Sequence, residues 1–83
     1  SMRCTIDELR YKEVIDIADG RRYGFVGDVE FDAATGQILS VIIRGRCRGL
    51  GLLGREEDQV FPWASIKRFG EDIVLVDAAA KKK

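Results

Sequence analysis

The sequence predicts a small all-β domain, because short apolar stretches alternate with turn signals and no segment has the periodicity of a substantial helix. The central stretch, residues 22–44, is predicted to form a long β-hairpin around a polar turn at 33–36. Gly36 supplies the positive φ at which such a turn closes. Counting the shorter apolar stretches on either side gives about six strands, a pattern typical of a small barrel or sandwich.

Alternation within the hairpin predicts which side chains face the core. In the first half, the apolar residues of one parity are Tyr23, Phe25, Val29 and Phe31. Val26 interrupts that alternation and Gly27 follows it, so we expect a β-bulge at residues 27–28 that returns Val26 to the core.

The remaining elements are short. Thr5 and Glu8 have the spacing of a capping box, which predicts one helical turn at 5–9 whose Ile6 and Leu9 plug one end of the fold. Further strands are expected at 12–17, 59–63 and 73–76, with a corner at 64–66 and a long loop at 45–58. Pro62 is expected at an edge or a strand end. We divide the chain into a cloning scar at 1–2, one domain at 3–77 and a frayed tail at 78–83.

Composition narrows the function classes. Lys plus Arg and Asp plus Glu are both 14, whereas a protein built mainly to coat nucleic acid is normally basic. No apolar run approaches the ~20 residues needed to span a bilayer, so we expect a cytoplasmic protein without membrane insertion. Cys4 and Cys47 are interpreted as two reduced thiols, with a single bridge or a metal shared across a dimer as the alternative.

Several segments together resemble the PRC-barrel superfamily. They are the KEVIDIADG stretch at 12–20, residues 24–29, Phe31-Asp32 with the turn ending at Gly36, the apolar strand at 38–43, VFPW at 60–63 with Ile66, and residues 70–73. The chain is most similar to small stand-alone members that include sporulation proteins of spore-forming Gram-positive bacteria. The resemblance implies a small six-stranded β-barrel, a cytoplasmic protein and a binding role without catalytic residues or cofactors. It also implies a structural motif that shapes turns and packs the core: Gly24, Asp28, Gly36, Pro62, Trp63 and Gly70.

The loop at 45–58 is the predicted partner-binding site. The predicted site consists of the arginines and leucines of this loop together with the arginine just before it: Arg44, Arg46, Arg48, Leu50, Leu52, Leu53 and Arg55. Arginine is suited to forked contacts with phosphate or carboxylate. Three interpretations remain open: an unknown protein partner, an RNA or ribosomal surface, and a solvated loop paired with Glu56, Glu57 and Asp58 of its own or a sister chain.

Two other motifs have structural explanations. Residues 49–54 spell GxGxxG, but a dinucleotide site also needs a following helix, and none is predicted here. We therefore expect a flexible loop whose leucines tuck under the barrel or meet a partner. Asp28, Glu30 and Asp32 alternate along one strand and are interpreted as a solvated face rather than a cation or acid–base site, since the chain has no histidine. We predict no enzyme, no metal and no cofactor.

A second apolar face on the strand at 38–43 predicts self-association. Ile38 and Ile42 have the opposite parity to Leu39, Val41 and Ile43, so both faces of this strand need cover. A second subunit is the expected cover at Ile38 and Ile42, with the leucine loop as the alternative. Trp63 is interpreted as a core plug rather than an exposed recognition residue. The sequence thus predicts a non-catalytic adaptor, homodimeric and connected with sporulation, with an RNA- or ribosome-associated factor as the alternative.

Overall fold

The structure is a computed structural model that describes residues 3–81, with side chains described for residues 3–79. It contains one α-helix and seven β-strands. In chain order these are α1 (Ile6–Leu9), β1 (Glu13–Asp16), β2 (Arg22–Phe25), β3 (Asp28–Phe31), β4 (Ile38–Ile43), β5 (Gln59–Pro62), β6 (Ile66–Phe69) and β7 (Ile73–Val76). Short 3₁₀ helices lie at Gly49–Gly51, Trp63–Ser65 and Ala78–Lys81.

The strands form two sheets, which confirms the all-β prediction. One sheet has the order β2-β1-β7-β6 and the other has the order β3-β4-β5. Only β1 and β7 run parallel; the other pairs are antiparallel. Only the predicted strand count needs correction: the described residues form seven strands rather than six, and the ladders between them are not joined into one closed barrel.

The extra strand arises where the predicted long hairpin divides. Its first half breaks after β2, which pairs with β1, and resumes as β3, which pairs with β4. At the break, the Gly27 N–H donates to the Ile42 carbonyl at 2.8 Å, so this corner joins the two sheets. The bulge expected at 27–28 is therefore wrong; the register irregularities lie at residues 14–15, 30–31 and 66–68 instead.

The change of sheet also alters which side chains are buried. Val26 is buried, as predicted. Phe25 and Phe31 are more than half exposed, although alternation predicted that both face the core. Parity counted along one continuous strand is lost when the chain turns into a second sheet at Val26.

The core lies between the two sheets. Its buried hydrophobic residues are Leu9, Val14, Val26, Val41, Ile43, Phe61, Val74 and Val76. Phe61 is fully buried, and its ring centroid lies 4.9 Å from that of Tyr23. Trp63 packs partly against this core and contacts Phe69 at 5.5 Å between ring centroids, which favours the core interpretation of Trp63.

Helix α1 begins as predicted. The Glu8 N–H donates to Thr5 Oγ1 at 3.1 Å, and the Thr5 N–H donates to Glu8 Oε1 at 2.8 Å, so the capping box is present. These bonds also lower the pKa of Glu8. Leu9 is buried, but Ile6 is about half exposed, so only one of the two expected plugs enters the core.

The predicted division of the chain into scar, domain and tail stays a prediction. Residues 1–2, 82 and 83 lie outside the described residues. Within the predicted tail, Ala78–Lys81 form a 3₁₀ helix and Ala78 packs against the core. The Asp77 N–H donates to the Ser65 carbonyl at 2.8 Å, which fixes the chain just before this helix.

Candidate interaction surface

The loop between β4 and β5 is closed at its base by one carboxylate. Asp58 Oδ1 accepts from the Gly45 N–H at 2.8 Å, and Asp58 Oδ2 accepts from Arg44 Nη1 at 3.1 Å. The Gly45 N–H, followed by the Arg44 guanidinium, holds the pKa of Asp58 below its ordinary value. Arg44 Nη2 also donates to Asp28 Oδ2 at 2.9 Å on β3. The two ends of the loop are thereby tied to each other and to the neighbouring strand.

Above this base the loop is a short hairpin, which we call the apical hairpin (residues 45–58). The Glu56 N–H donates to the Arg46 carbonyl at 2.8 Å, Cys47 and Arg55 form an isolated β-bridge, and the Arg48 N–H donates to the Gly54 carbonyl at 2.8 Å. The expectation of a flexible glycine loop is therefore corrected to a hydrogen-bonded ladder that ends in a tight tip.

Gly45 permits the close approach of the two sides. A Cβ at this position would overlap the carbonyl group of Glu56 and lie 2.8 Å from the Glu57 carbonyl oxygen. No side chain larger than hydrogen fits there unless the ladder opens.

The tip pairs three of its backbone donors internally. The N–H groups of Gly51 and Leu53 both donate to the Arg48 carbonyl, at 2.9 and 3.1 Å, and the Leu52 N–H donates to the Gly49 carbonyl at 3.0 Å. Leu50 has a φ of 58°, the only positive φ outside glycine in the described residues. Such a conformation is uncommon for leucine and concentrates at sites with a function other than stability.

Three exposed leucines lie at the tip. Leu50, Leu52 and Leu53 are 100%, 88% and 71% exposed. They therefore do not tuck under the sheets, which corrects that interpretation and leaves contact with a partner. The GxGxxG spelling has no following helix, since residues 52–58 lead directly into β5. The structure thus provides no helix N-terminus for a dinucleotide at this motif.

Arginines occupy the levels of the ladder nearest the leucines. Arg48 lies opposite Gly54, and Arg55 lies opposite Cys47. Arg55 Nη2 approaches Asp58 Oδ1 at 3.7 Å, whereas Arg46 and Arg48 form no ion pair with the described side chains. Of the three acidic partners predicted for these arginines, only Asp58 is used; Glu56 and Glu57 form no ion pair within the described part of the chain.

A second group of arginines lies beside the hairpin base. A cleft of about 270 Å³ is lined by Arg21, Arg22, Arg44 and Arg46 together with Tyr23, Glu56 and Glu57. The Arg21 guanidinium stands 5.1 Å from the centre of the Tyr23 ring. Arg22 donates through Nε and Nη2 to Glu13 at 2.8 and 3.0 Å, which raises the pKa of Arg22 and lowers that of Glu13. Arg21 and Arg22 were not predicted as site residues. Only their position at the start of the first hairpin strand could have indicated such a role.

The predicted dimer residues lie apart. Ile42 is half-buried and stands in register between Asp28 and Val60 on the outer side of the β3-β4-β5 sheet. Ile38, also half-buried, lies at the other end of β4, in an apolar cleft of about 230 Å³ shared with Leu9, Trp63 and Phe69. A dimer contact at these two isoleucines stays a prediction.

Comparison with known proteins identifies the fold. The family model described as PRC-barrel domain matches residues 4–83. The chain belongs to the PRC-barrel family. This finding confirms the resemblance drawn from the sequence.

Three relatives of this PRC-barrel chain align over most of their lengths. It is 38% identical over 72 residues to the probable sporulation protein YlmC of Bacillus subtilis, covering 87% of this chain and 89% of that protein. It is 30% identical over 73 residues to an uncharacterized protein of Clostridium acetobutylicum, covering 88% and 83%. It is 32% identical over 74 residues to the uncharacterized protein YmxH of Bacillus subtilis, covering 87% and 86%.

Within this PRC-barrel fold the alternating carboxylates have structural partners. Asp28 pairs with Arg44, Glu30 Oε1 accepts from Ser40 Oγ at 3.2 Å, and Asp32 Oδ1 accepts from the Ala34 N–H at 2.8 Å in the β3–β4 turn. These contacts favour the interpretation of a structural, solvated face.

Two further features bear on metal and membrane binding. Cys4 and Cys47 are both exposed, and neither forms a disulfide. Among the described residues, no group of three histidine, cysteine, aspartate or glutamate side chains is arranged to hold a metal ion. No helix in the described chain is long and apolar enough to cross a membrane.

Proposed function

We propose that this PRC-barrel chain is a non-catalytic adaptor that presents the tip of its apical hairpin to a macromolecular partner. The observation that carries the proposal is the full or nearly full exposure of Leu50 and Leu52 on a tip whose backbone is hydrogen-bonded internally. Exposed apolar groups collected on one feature mark an interaction site more often than scattered ones do.

The ladder beneath the tip supports this role energetically. A contact loop that is already ordered loses less conformational entropy on binding than a disordered one, so more of the contact energy remains as affinity. Leu50, Leu52 and Leu53 would supply buried apolar area, while Arg46 and Arg48 would supply orientation, since neither forms an ion pair within the described residues. The absence of histidine from the sequence is in keeping with a binding role.

The relatives suggest the process. One carries the name probable sporulation protein, and its alignment covers 89% of that protein. We therefore place the proposed adaptor in sporulation. Two exposed cysteines that form no disulfide fit a reducing compartment, and this supports the cytoplasm as its location.

Self-association is part of the same proposal. Ile42 and Val60 are adjacent on the outer side of the β3-β4-β5 sheet, and Val60 is nearly half exposed. A homodimer would cover this pair, whereas Ile38 would take part only if the contact extended to the other end of β4. Sedimentation equilibrium tests this: we expect a dimer that dissociates when Ile42→Lys is introduced. A wild-type monomer at all concentrations would exclude the dimer.

One observation favours a second candidate, an RNA- or ribosome-associated factor. Arg21 and Arg46 line the same cleft and neither forms an ion pair within the described residues. Phosphate contacts at such a site release counterions, so binding would fall steeply as salt rises. Glu56 and Glu57 in the same cleft oppose a polyanion, which is why we rank this candidate second.

Affinity capture from host lysate tests the adaptor proposal. We expect a partner that survives nuclease and is lost with Arg46→Ala combined with Arg48→Ala. The matched control is Lys67→Ala combined with Arg68→Ala on β6, which removes two exposed cations outside the hairpin. Undiminished capture by the hairpin variant would exclude this site, and loss of the captured material after nuclease would favour RNA.

A further inference from the structure

We propose that the tip of the apical hairpin docks on the surface of an anionic phospholipid bilayer, with its leucines in the interfacial layer and its arginines among the phosphates. The inference rests on the proposed function of the tip as a contact surface and names the surface it meets. Its basis is the order of chemistries along the hairpin, the internal pairing of three tip N–H groups, and the convex shape of the apolar patch.

The order of side chains from the tip downward matches the profile of a bilayer surface. Leu50, Leu52 and Leu53 form the outermost level. The next two levels carry Arg48 and Arg55 and no carboxylate, and the first acidic residue, Glu56, appears opposite Arg46 one level further down. An anionic surface attracts the two arginines nearest the tip and meets no repulsive charge until the third level.

The spacing of these levels agrees with a shallow insertion. Successive residues of an extended strand rise about 3.3 Å, so Arg48 and Arg55 lie roughly 3–7 Å behind the tip. Interfacial segments bury their apolar face about 5–10 Å into the boundary between headgroups and acyl chains. Leucines that reach this boundary would therefore leave Arg48 and Arg55 at the level of the phosphates, where a guanidinium can make forked contacts.

Three backbone donors of the tip are already paired within the hairpin. The N–H groups of Gly51, Leu52 and Leu53 are all bonded to carbonyls of Arg48 or Gly49. Pairing these donors lowers the cost of moving the turn from water into the interfacial layer. The unusual backbone at Leu50 is part of the turn that makes this pairing and directs a fully exposed leucine outward.

The shape and composition of the tip favour a bilayer over a protein groove. Its apolar groups stand on a convex turn, which a fluid surface covers without needing a complementary pocket. Leucine, the apolar residue of the tip, is under-represented among the residues that dominate binding energy in protein interfaces. The contact requires no spanning segment, so it alters the expectation of no membrane insertion only for the three leucine side chains.

Vesicle co-sedimentation tests the proposal on the full chain. The probe is a vesicle of equal parts phosphatidylglycerol and phosphatidylcholine, compared with pure phosphatidylcholine. We expect binding to the anionic vesicle and much weaker binding to the neutral one. Burying one leucine side chain raises the partition coefficient by at least about tenfold. Leu50→Asn with Leu52→Gln should therefore lower it roughly a hundredfold. Arg48→Gln should lower it about fivefold.

Matched variants separate specific docking from general effects. Asparagine adopts the positive φ found at Leu50 more readily than most residues, so the polar variant should keep the conformation of the tip. Amide chemical shifts of residues 48–54 would verify this. Ile17→Gln with Phe31→Gln removes two exposed apolar side chains outside the hairpin, and Lys67→Gln removes an exposed cation. All three control substitutions should leave vesicle binding unchanged.

Each outcome decides between the inference and the function beneath it. No sedimentation with anionic vesicles, or equal sedimentation of the Leu50→Asn, Leu52→Gln variant, overturns the membrane inference. If that result accompanies capture of a protein from membrane-free lysate that the same variant abolishes, the adaptor function stands with a protein as its partner. If neither vesicles nor a protein depend on the leucines, both proposals fail.

Discussion

Gly45→Ala should open the base of the apical hairpin while leaving the core intact. The added Cβ would overlap the Glu56 carbonyl group, which belongs to the backbone and cannot move aside as a flexible side chain would. The two sides of the ladder must therefore separate at this level. The level above, where the Glu56 N–H donates to the Arg46 carbonyl at 2.8 Å, is the first to be strained.

The size of the effect follows from the hydrogen bonds at risk. Two backbone bonds, from Glu56 to Arg46 and from Arg48 to Gly54, hold the ladder above Gly45. At a net value of about 1 kcal/mol each, the loss of one or both bonds amounts to about 1–2 kcal/mol. This corresponds to a change of roughly 5- to 30-fold in the fraction of molecules with an open hairpin.

Amide hydrogen exchange measures this change residue by residue. In Gly45→Ala we expect protection of the Glu56 and Arg48 amides to fall roughly 5- to 30-fold, with unchanged protection at Val41 and Val74 in the core. Gly51→Asn is the matched control, because a Cβ there meets no atom within 4 Å and asparagine tolerates its positive φ. Full protection of Glu56 in Gly45→Ala would refute the close approach at the base.

Two further predictions concern individual side chains. The pKa of Asp58 lies below its ordinary value of 3.8, so its hydrogen bond from the Gly45 N–H is fully formed above pH 3.8 and is lost as the pH falls through the lowered pKa. The amide chemical shift of Gly45 should follow this titration in the wild type. It should show no such titration in Asp58→Asn. Lys12→Met should lower the free energy of unfolding, measured in urea, by about 1–2 kcal/mol. The reason is that Lys12 Nζ donates at 2.6 Å to the carbonyls of both Gly70 and Glu71. An unchanged midpoint would show that water replaces the ammonium group at no cost.

Local patterns in the sequence predict local structure well in this chain. The capping box of α1, strand β7 and the position of Pro62 at the end of edge strand β5 were all predicted correctly. Each depends on residues only a few positions apart, so the physical signal is contained in the sequence window. The burial of Val26 was also predicted, although through a bulge that the structure replaces with a change of sheet.

Features that depend on pairing between distant segments were harder to predict. Alternation along residues 22–31 cannot show that β2 and β3 belong to different sheets, because period-2 patterns carry no information about the partner strand. This is why Phe25 and Phe31 are exposed against expectation. The buried Lys12 has the same explanation, since its two acceptors are 58 and 59 residues away.

The apical hairpin shows a different limit. Its arginines and leucines were singled out by composition, but its ladder was not predicted, because the glycine-rich segment has no alternating apolar residues. The ladder consists of backbone hydrogen bonds, which do not depend on side-chain identity. It begins at Gly45, where a Cβ would overlap the opposite backbone. Two arginines of the cleft at its base, Arg44 and Arg46, were predicted as site residues. Arg21 and Arg22 were not, because they reach the cleft only when β2 packs against β4.

The hairpin is energetically separable from the domain that carries it. All residues from 46 to 57 are exposed, and none belongs to the hydrophobic core, so their side chains contribute little to the free energy of folding. The connection to the core passes through Gly45, Asp58 and the Arg44 ion pairs. Substitutions at the leucines or at Arg46 and Arg48 should therefore change contacts without unfolding the protein. A loss of binding in those variants can accordingly be assigned to the surface itself, whereas a loss in Gly45→Ala reports on the closed shape that presents it.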